Sequence, residues 1–412
     1  MGLKEQYKWF LSKLTIFKWL SAYSKHTFRK DLSAGVTVGV MLIPQGMAYA
    51  VLAGLPAIYG LYASLVPLLV YPLFSTSRHL SVGVVAIDML IVIAGVGLIA
   101  EPGTDRYISL VILLGICVGI TQIAMSVARL GFIVNLLSKP VIIGFTTAAP
   151  LIISFSQFGN LTGIDLLQSQ YIYDITVDLV TNWESLHLLT FIIGISGILL
   201  LVLSQRLLPA APEALILVIV ASFLVWGGEL NQQGVEVVGS IQGGLPSPTI
   251  PSFSFDEFRR LIPTILTLAL VQFMNVVTLG RTFASKHKYT ISPNKELWAI
   301  GSANLLGGFF RSIPISGSFS RSAVNEQAGA ETPLTNIYAA VLIGLTLLFL
   351  TPLFYYVPMP ALSAIIIVAS LGLIEIQEIR YLFRTKERDG FIALFTFVTI
   401  LVIGIQEGSC WA

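Results

Sequence analysis

Uncharged, apolar windows alternate with short polar connections along nearly the whole chain. Residues 32–77 and 332–374 hold no Asp, Glu, Lys or Arg. About 20 apolar residues cross a bilayer, so each of these windows predicts two helices. The first pair breaks near Gly54, Leu55 and Pro56, and the second at 355–360, where Pro358 and Pro360 fall. Windows 107–128, 140–164, 185–205, 214–228, 261–280, 297–310 and 390–406 predict one span each. Two leftover stretches, around 83–99 and 318–331, are apolar but short, and each carries an internal charge. The pattern predicts an all-α polytopic membrane protein of about 13 segments, two of them unusual.

Composition sharpens this. The chain is 55% hydrophobic and 11% charged, where a soluble protein carries roughly 25% charged residues. A net charge of +2, with no basic run interleaved with aromatics, argues against nucleic acid. Cys117 and Cys410 lack metal-ligand spacing, and His26, His79, His187 and His287 are scattered without a hydrolase or zinc motif. Neither an enzyme nor a cofactor or metal is expected.

Basic residues set the orientation. Lys4, Lys8, Lys13, Lys18, Lys25, Arg29 and Lys30 precede the first window, which places the N-terminus in the cytoplasm. Residues 141–205 hold no Lys or Arg but carry Asp165, Asp174, Asp178 and Glu184, so that loop is expected outside. By alternation Arg206, the cluster Arg281, Lys286, Lys288 and Lys295, and the cluster Arg380, Arg384, Lys386 and Arg388 fall inside. Arg259 and Arg260 are exceptions. The N-terminal 31 residues lack the continuous apolar region of a cleavable signal. Tyr7, Phe10, Leu14 and Phe17 recur at helical spacing among lysines, which suits a helix on the inner membrane surface.

The two short stretches carry the functional expectation. At 81–89 an extended run with Gly83 leads into about four helical turns ending near Gly97. At 313–322 an extended run with Pro314 and Gly317 leads into a short helix ending before Pro333. Corresponding interrupted helices in two halves of a membrane chain point to a transporter with inverted repeats and a midplane site. A helix that starts inside the membrane brings unsatisfied N–H groups and about half a positive charge to its first turn. Two such ends facing each other make an anion pocket, to which Arg321 adds a full charge. An arginine inside the membrane is a functional hypothesis by default.

At this point a family becomes visible. The runs 44–50 (PQGMAYA) and 54–62 (GLPAIYGLY) resemble the first signature of SulP anion permeases, and 294–310 with 316–325 (SGSFSRSAVN) resemble its second-half signature. That family includes sulfate permeases, bicarbonate and dicarboxylate carriers, pendrin and prestin. The resemblance runs over about residues 28–408. It implies 14 segments in two inverted seven-segment repeats, with segments 1–4 and 8–11 as a core domain and 5–7 with 12–14 as a gate. The expected division is a cytoplasmic segment 1–31, a first repeat 32–230, an extracytoplasmic linker 231–260 and a second repeat 261–412. Elevator-like movement of core against gate would carry a small inorganic anion, with a proton or sodium ion as coupling ion. A homodimer in the bilayer of a bacterial inner membrane or plasma membrane is implied as well.

Carried over by position, the anion would lie between the starts of segments 3 and 10. Gln45 and Tyr49 would line it from segment 1, Val85 and Ala86 from segment 3, and Ser318, Phe319, Ser320 and Arg321 from segment 10. Gln45 and Tyr49 stand one helical turn apart on one face.

Three departures from the family pattern stand out. Many relatives carry a glutamate in segment 8 where this chain has Asn275, although Gln272, Asn275 and Thr278 form a polar stripe there that looks inward. Segment 3 often begins with proline where this chain has Val84, and it carries Asp88. Asp88 is expected to replace the missing glutamate, either by pairing with Arg321 or by taking up a proton. Finally, the sequence ends at Ala412, where relatives continue through segments 13 and 14 and usually a STAS domain; an incomplete second repeat without STAS is expected. A nucleobase or ascorbate carrier of the same fold is the nearest alternative, and a channel-like anion pathway the next.

Overall fold

In the computed structural model the described residues are 14–21, 23–135, 139–166, 172–207, 212–241, 243–372, 374, 380, 382–384 and 387–403. In chain order the helices are α1 (Ile16–Ser21), α2 (Lys25–Leu52), α3 (Ile58–Ala63) and α4 (Val66–Phe74). Strand β1 (Ser81–Gly83) then leads into α5 (Ala86–Val96), followed by α6 (Asp105–Val127), α7 (Lys139–Ser156), α8 (Phe158–Thr162), α9 (Ile172–Thr181), α10 (Leu188–Leu207) and α11 (Glu213–Gly227). The second half has α12 (Phe255–Lys286), α13 (Pro293–Gly308), strand β2 (Ser316–Ser318), α14 (Phe319–Gln327), α15 (Thr335–Leu345), α16 (Met359–Leu371) and α17 (Glu387–Ile403).

Local chemistry explains most boundaries. Helix α2 starts where the Ser24 side chain accepts from the Thr27 N–H, and ends just before Gly54 takes φ +71°. The apolar window 261–280 becomes a longer helix because Ser254 and Glu257 form a reciprocal capping box that starts it at Phe255, ahead of the window. Window 140–164 divides into α7 and α8, the latter stopped by Gly163 at φ +73°. After α15 the chain tightens through a π turn (Thr346–Leu350) and a 3-10 turn (Thr351–Phe354) before Pro358 and α16.

Among the described residues, five helical stretches are long and apolar enough to cross a membrane, and the remaining apolar helices are shorter. The shortness has a cause in α3 and α4, where Pro67 resets the helix after Ser64. Both unusual segments are broken as expected, but shorter than expected: α5 has 11 residues and α14 has nine. Phe17 on α1 is exposed, while Tyr7, Phe10 and Cys410 lie outside the described residues. The Cys117 thiol is free and half-buried.

The packing is reciprocal between the halves. Helix α2, which opens the first half, packs on α14 and α15, and α12, which opens the second, packs on α5 and α6. Helix α13 runs along α6 and α4, while α7 meets α17 and α10 meets α16. Buried carboxylates hold the irregular connections in place. Glu296 on α13 accepts from the Tyr71 hydroxyl (2.7 Å) and from the N–H groups of Thr76 (2.7 Å) and Ser77 (3.0 Å), which fixes the approach to β1. Asp31 on α2 accepts from the Glu331 N–H (2.8 Å) in the loop after α14. Beside it the Lys30 ammonium donates to Glu331 (2.8 Å) and holds that carboxyl below its ordinary range.

Candidate functional site

The two extended stretches before the half-helices meet each other. Strands β1 and β2 pair antiparallel, with Ser81 opposite Ser318, Val82 opposite Gly317 and Gly83 opposite Ser316. Antiparallel pairing sends α5 and α14 away in opposite directions from one short ladder, so their N-termini sit side by side.

Side-chain amides satisfy the backbone groups that so small a sheet leaves over, as burial requires. Asn336 on α15 donates to the Leu80 carbonyl (3.0 Å) and accepts from the Val82 N–H (3.3 Å). The Ser81 N–H donates to Ser322 Oγ (2.9 Å). On the other strand, Asn304 on α13 accepts from the Ile315 N–H (2.8 Å), and Asn275 on α12 donates to the Gly317 carbonyl (3.3 Å).

Neither half-helix has a side-chain cap: Val85 before α5 and Ser318 before α14 are extended, and neither side chain accepts from the turn it precedes. Their first-turn N–H groups and aligned dipoles therefore point at a common space. Arg321, in the first turn of α14, is 1% exposed. Its Nη1 donates to Gln45 Oε1 (3.3 Å) and its Nη2 to the Val84 carbonyl (3.1 Å), while Nε has no hydrogen-bond partner. Because Gln45 Oε1 accepts from the guanidinium, Gln45 Nε2 is the amide atom left to donate.

Gln45, Tyr49, Val85, Ala86, Ser318 and Arg321 are all buried around this convergence. Phe319 and Ser320 are exposed, and the Phe319 ring stacks on Phe283 at 6.2 Å, so this side of the α14 start is open. Gly83, at φ +150°, lets the chain pass the guanidinium: a Cβ there would lie 3.1 Å from Arg321 Nη2.

Two expectations need correction. Asp88 does not pair with Arg321. Among the described residues the only hydrogen bond to its carboxyl comes from Gln272 Nε2 to Oδ2 (3.1 Å), and Arg321 turns instead to Gln45 and Val84. The stripe on α12 does not share one face either. Gln272 is fully buried and Asn275 half-buried, but Thr278 is exposed. A three-residue step advances about 300° around a helix of 3.6 residues per turn, so six residues rotate Thr278 well away from Gln272.

Asn336, Ser322 and Gln122 escaped the sequence reading. The signal was there for two of them: Gln122 and Asn336 are amides inside otherwise apolar windows. A cavity of about 900 Å³ also opens at the far end of α5, lined by Leu90, Ile93, Gly97, Glu101, Gln157 and Asp165 among others. It contains none of the residues at the helix starts, and its acidic rim repels an anion; the convergence at β1 and β2 has the better chemistry.

The chain is similar to known proteins. The model of the sulfate permease family matches residues 28–396. The chain is 37% identical over 407 residues to "Sulfate transporter 4.1, chloroplastic" of Arabidopsis thaliana, covering 97% of this chain and 59% of that one. The murine Slc26a9 anion transporter in the inward-facing state superposes with a TM-score of 0.90 at 26% identity, over 98% of this chain and 70% of that one. The transmembrane domain of the cyanobacterial bicarbonate transporter BicA has the same fold, with a TM-score of 0.83 at 18% identity over 94% of this chain and 98% of that one. The chain therefore spans 59% of the length of its plant relative. On the family model and the fold together, this multi-pass membrane chain belongs to the sulfate permease family, a family of permeases and not of enzymes.

Proposed function

We propose that this protein is a secondary transporter of small inorganic anions, with sulfate and bicarbonate as the first candidates. The observation that carries the reading is the meeting of two uncapped half-helix starts beside Arg321, a guanidinium sealed from bulk water whose Nε has no partner. Backbone N–H groups, the Gln45 amide and the guanidinium are all donors, and an oxyanion is all acceptor. The site residues are Gln45, Tyr49, Val85, Ala86, Ser318, Phe319, Ser320 and Arg321. The similarity to a sulfate transporter and to an anion transporter supports the same class.

In this reading the paired strands and the helices around them move as one body against the rest. The β1–β2 ladder and its asparagine brackets keep the two helix starts together during that movement. The repeats run over 32–230 and 261–412 with a linker at 231–260. The N-terminus faces the cytoplasm, and the protein works as a homodimer. Radiolabelled sulfate uptake into proteoliposomes, competed with bicarbonate, chloride, nitrate and a dicarboxylate at two pH values, tests the reading. Saturable uptake that Arg321→Gln removes supports it. A linear current with no saturation points to a channel, and no anion movement at all overturns it.

A further inference from the structure

The amides around Asp88 form a chain with one direction. Asn304 Oδ1 accepts from the backbone N–H of Ile315 at 2.8 Å, so Asn304 Nδ2 must donate, and it does so to Gln272 Oε1 at 3.0 Å. Gln122 Nε2 donates to that same oxygen at 3.0 Å. With its oxygen taken, Gln272 donates through Nε2, and the acceptor is Asp88 Oδ2 at 3.1 Å. A backbone N–H cannot flip, so every amide orientation follows from that end. Oδ2 is thus an acceptor whether or not the carboxyl is ionised. Oδ1 has no hydrogen-bond partner, and Asp88 is fully buried.

Among the described residues no cation stands opposite it. On α2 the charged and imidazole groups, Lys25, His26, Arg29, Lys30 and Asp31, all lie in the first two turns, and on α6 Asp105 and Arg106 begin the helix. On α12, Asp256, Glu257, Arg259 and Arg260 lie at the start and Arg281 and Lys286 at the end. On α7 the only ionisable residue is Lys139, at its first position. The other titratable groups on these helices are Tyr49 in the last turn of α2 and Tyr107 and Cys117 on α6, all neutral, and Arg321 is engaged elsewhere. An ionised carboxylate here has one hydrogen bond and no counter-charge, which is a costly state for a buried group.

We propose that Asp88 Oδ1 is a proton-binding site, loaded while α5 is packed as it is here and emptied when water reaches it. The proton comes from water and returns to water, and Oδ2 keeps its bond from Gln272 throughout. The donor chain ends at Ile315, one residue before β2, so the carboxyl is tied to the strand that leads into Arg321. Asp88 is the third residue of α5. Ionised, it would occupy the positive end of that half-helix in competition with the anion; neutral, it leaves that end to the anion. Proton and anion then bind together. This coupling rests on the transport reading, but the proton site itself does not.

Two measurements separate them. In lipid-reconstituted protein, infrared difference spectra should show the carbonyl-stretch band of a neutral carboxyl that Asp88→Asn removes and Gln272→Leu shifts. In proteoliposomes loaded with a pH-sensitive dye, an inward sulfate gradient should acidify the lumen for the wild type and not for Asp88→Asn. No Asp88-dependent band at any pH overturns the proton site even if sulfate moves. A band that responds to sodium and not to pH overturns it in favour of a metal cation. A band with no sulfate movement leaves the proton site standing and removes the transport reading.

Discussion

Arg321 Nη2 donates to the Val84 carbonyl at 3.1 Å, so the charge carried by one half-helix is tied to the chain just before the other. The bond does in side-chain terms what the β1–β2 ladder does in backbone terms: it makes two helix starts, far apart in sequence, into one positive surface. Nη1 extends the tie to Gln45 on a third element. Fork geometry matters here, because the guanidinium serves two acceptors in fixed directions while keeping Nε in reserve.

Arg321→Lys is therefore expected to fold and to bind anion poorly. An ammonium cannot span Gln45, Val84 and an oxyanion together. Losing one charge-assisted hydrogen bond costs about 1.5–3 kcal/mol, roughly tenfold or more in affinity. The KM for sulfate uptake in proteoliposomes should rise by at least about that factor, and Arg321→Gln should abolish uptake. Wild-type KM values in both variants would remove Arg321 from the site.

Gly83→Ala tests the close passage beside the guanidinium. At φ +150° a side chain is strained, and its Cβ would lie 3.1 Å from both Arg321 Nη2 and Leu42 Cδ1. Gly103 is the matching control: it also has positive φ, at +83°, but its Cβ would meet nothing within 4 Å. Both substitutions should lower thermal stability in detergent by about 1 kcal/mol or somewhat more. Only Gly83→Ala should also weaken anion affinity. Equal affinity in the two variants would mean that Gly83 serves the backbone alone.

How much of this was readable beforehand follows from how locally each feature is encoded. The interruption at Gly83, the one at Pro314 and Gly317, and the burial of Arg321 lie in short runs of sequence, and the structure has all three. That Val82 sits opposite Gly317 is a contact between residues of different halves, and no local pattern holds it. Asp88 illustrates the limit. Its place in the first turn of a half-helix is legible, but its partner depends on how α12 is rotated, which selects Gln272 over Arg321. Thr278 departs for a simpler reason: a three-residue spacing does not keep to one face but winds around the helix.

The crossing of α6 and α13 depends on two glycines. A Cβ on Gly119 would lie 2.5 Å from the Leu305 nitrogen and 2.7 Å from the Gly301 carbonyl oxygen, and one on Gly301 would lie 2.9 Å from the Gly119 carbonyl oxygen. These obstacles are backbone and cannot swing aside. Gly119→Val should separate the helices at a cost of about 1–3 kcal/mol, read as a lower unfolding midpoint in detergent. The same separation pulls on the hydrogen bond from Asn304 Nδ2 to Gln122 Oε1, now 3.2 Å. Retained stability in Gly119→Val would show that the two helices are not held by close backbone contact.

The starts of α6 and α12 are joined outside the apolar window by Arg106 and Glu257, and this pair gives a pH prediction with a definite sign. Arg106 donates from Nε to Glu257 Oε1 at 2.7 Å and from Nη2 to Oε2, while Ser254 donates its N–H to Oε2 at 2.7 Å. The Arg106 bonds, joined by those from Ser254, bring the Glu257 carboxyl down from 4.5 to about 2. A depressed carboxyl stabilises the folded state fully above its unfolded value and loses that contribution as pH falls toward the folded one. The stability difference between wild type and Glu257→Gln should therefore be constant from pH 7 to about 5 and shrink steadily below about 4.5. Arg106→Gln should remove most of the pH dependence together with the stability. Thermal unfolding in detergent from pH 7 to 3.5 reads both effects, and a wild-type advantage that grows on acidification would contradict the pairing.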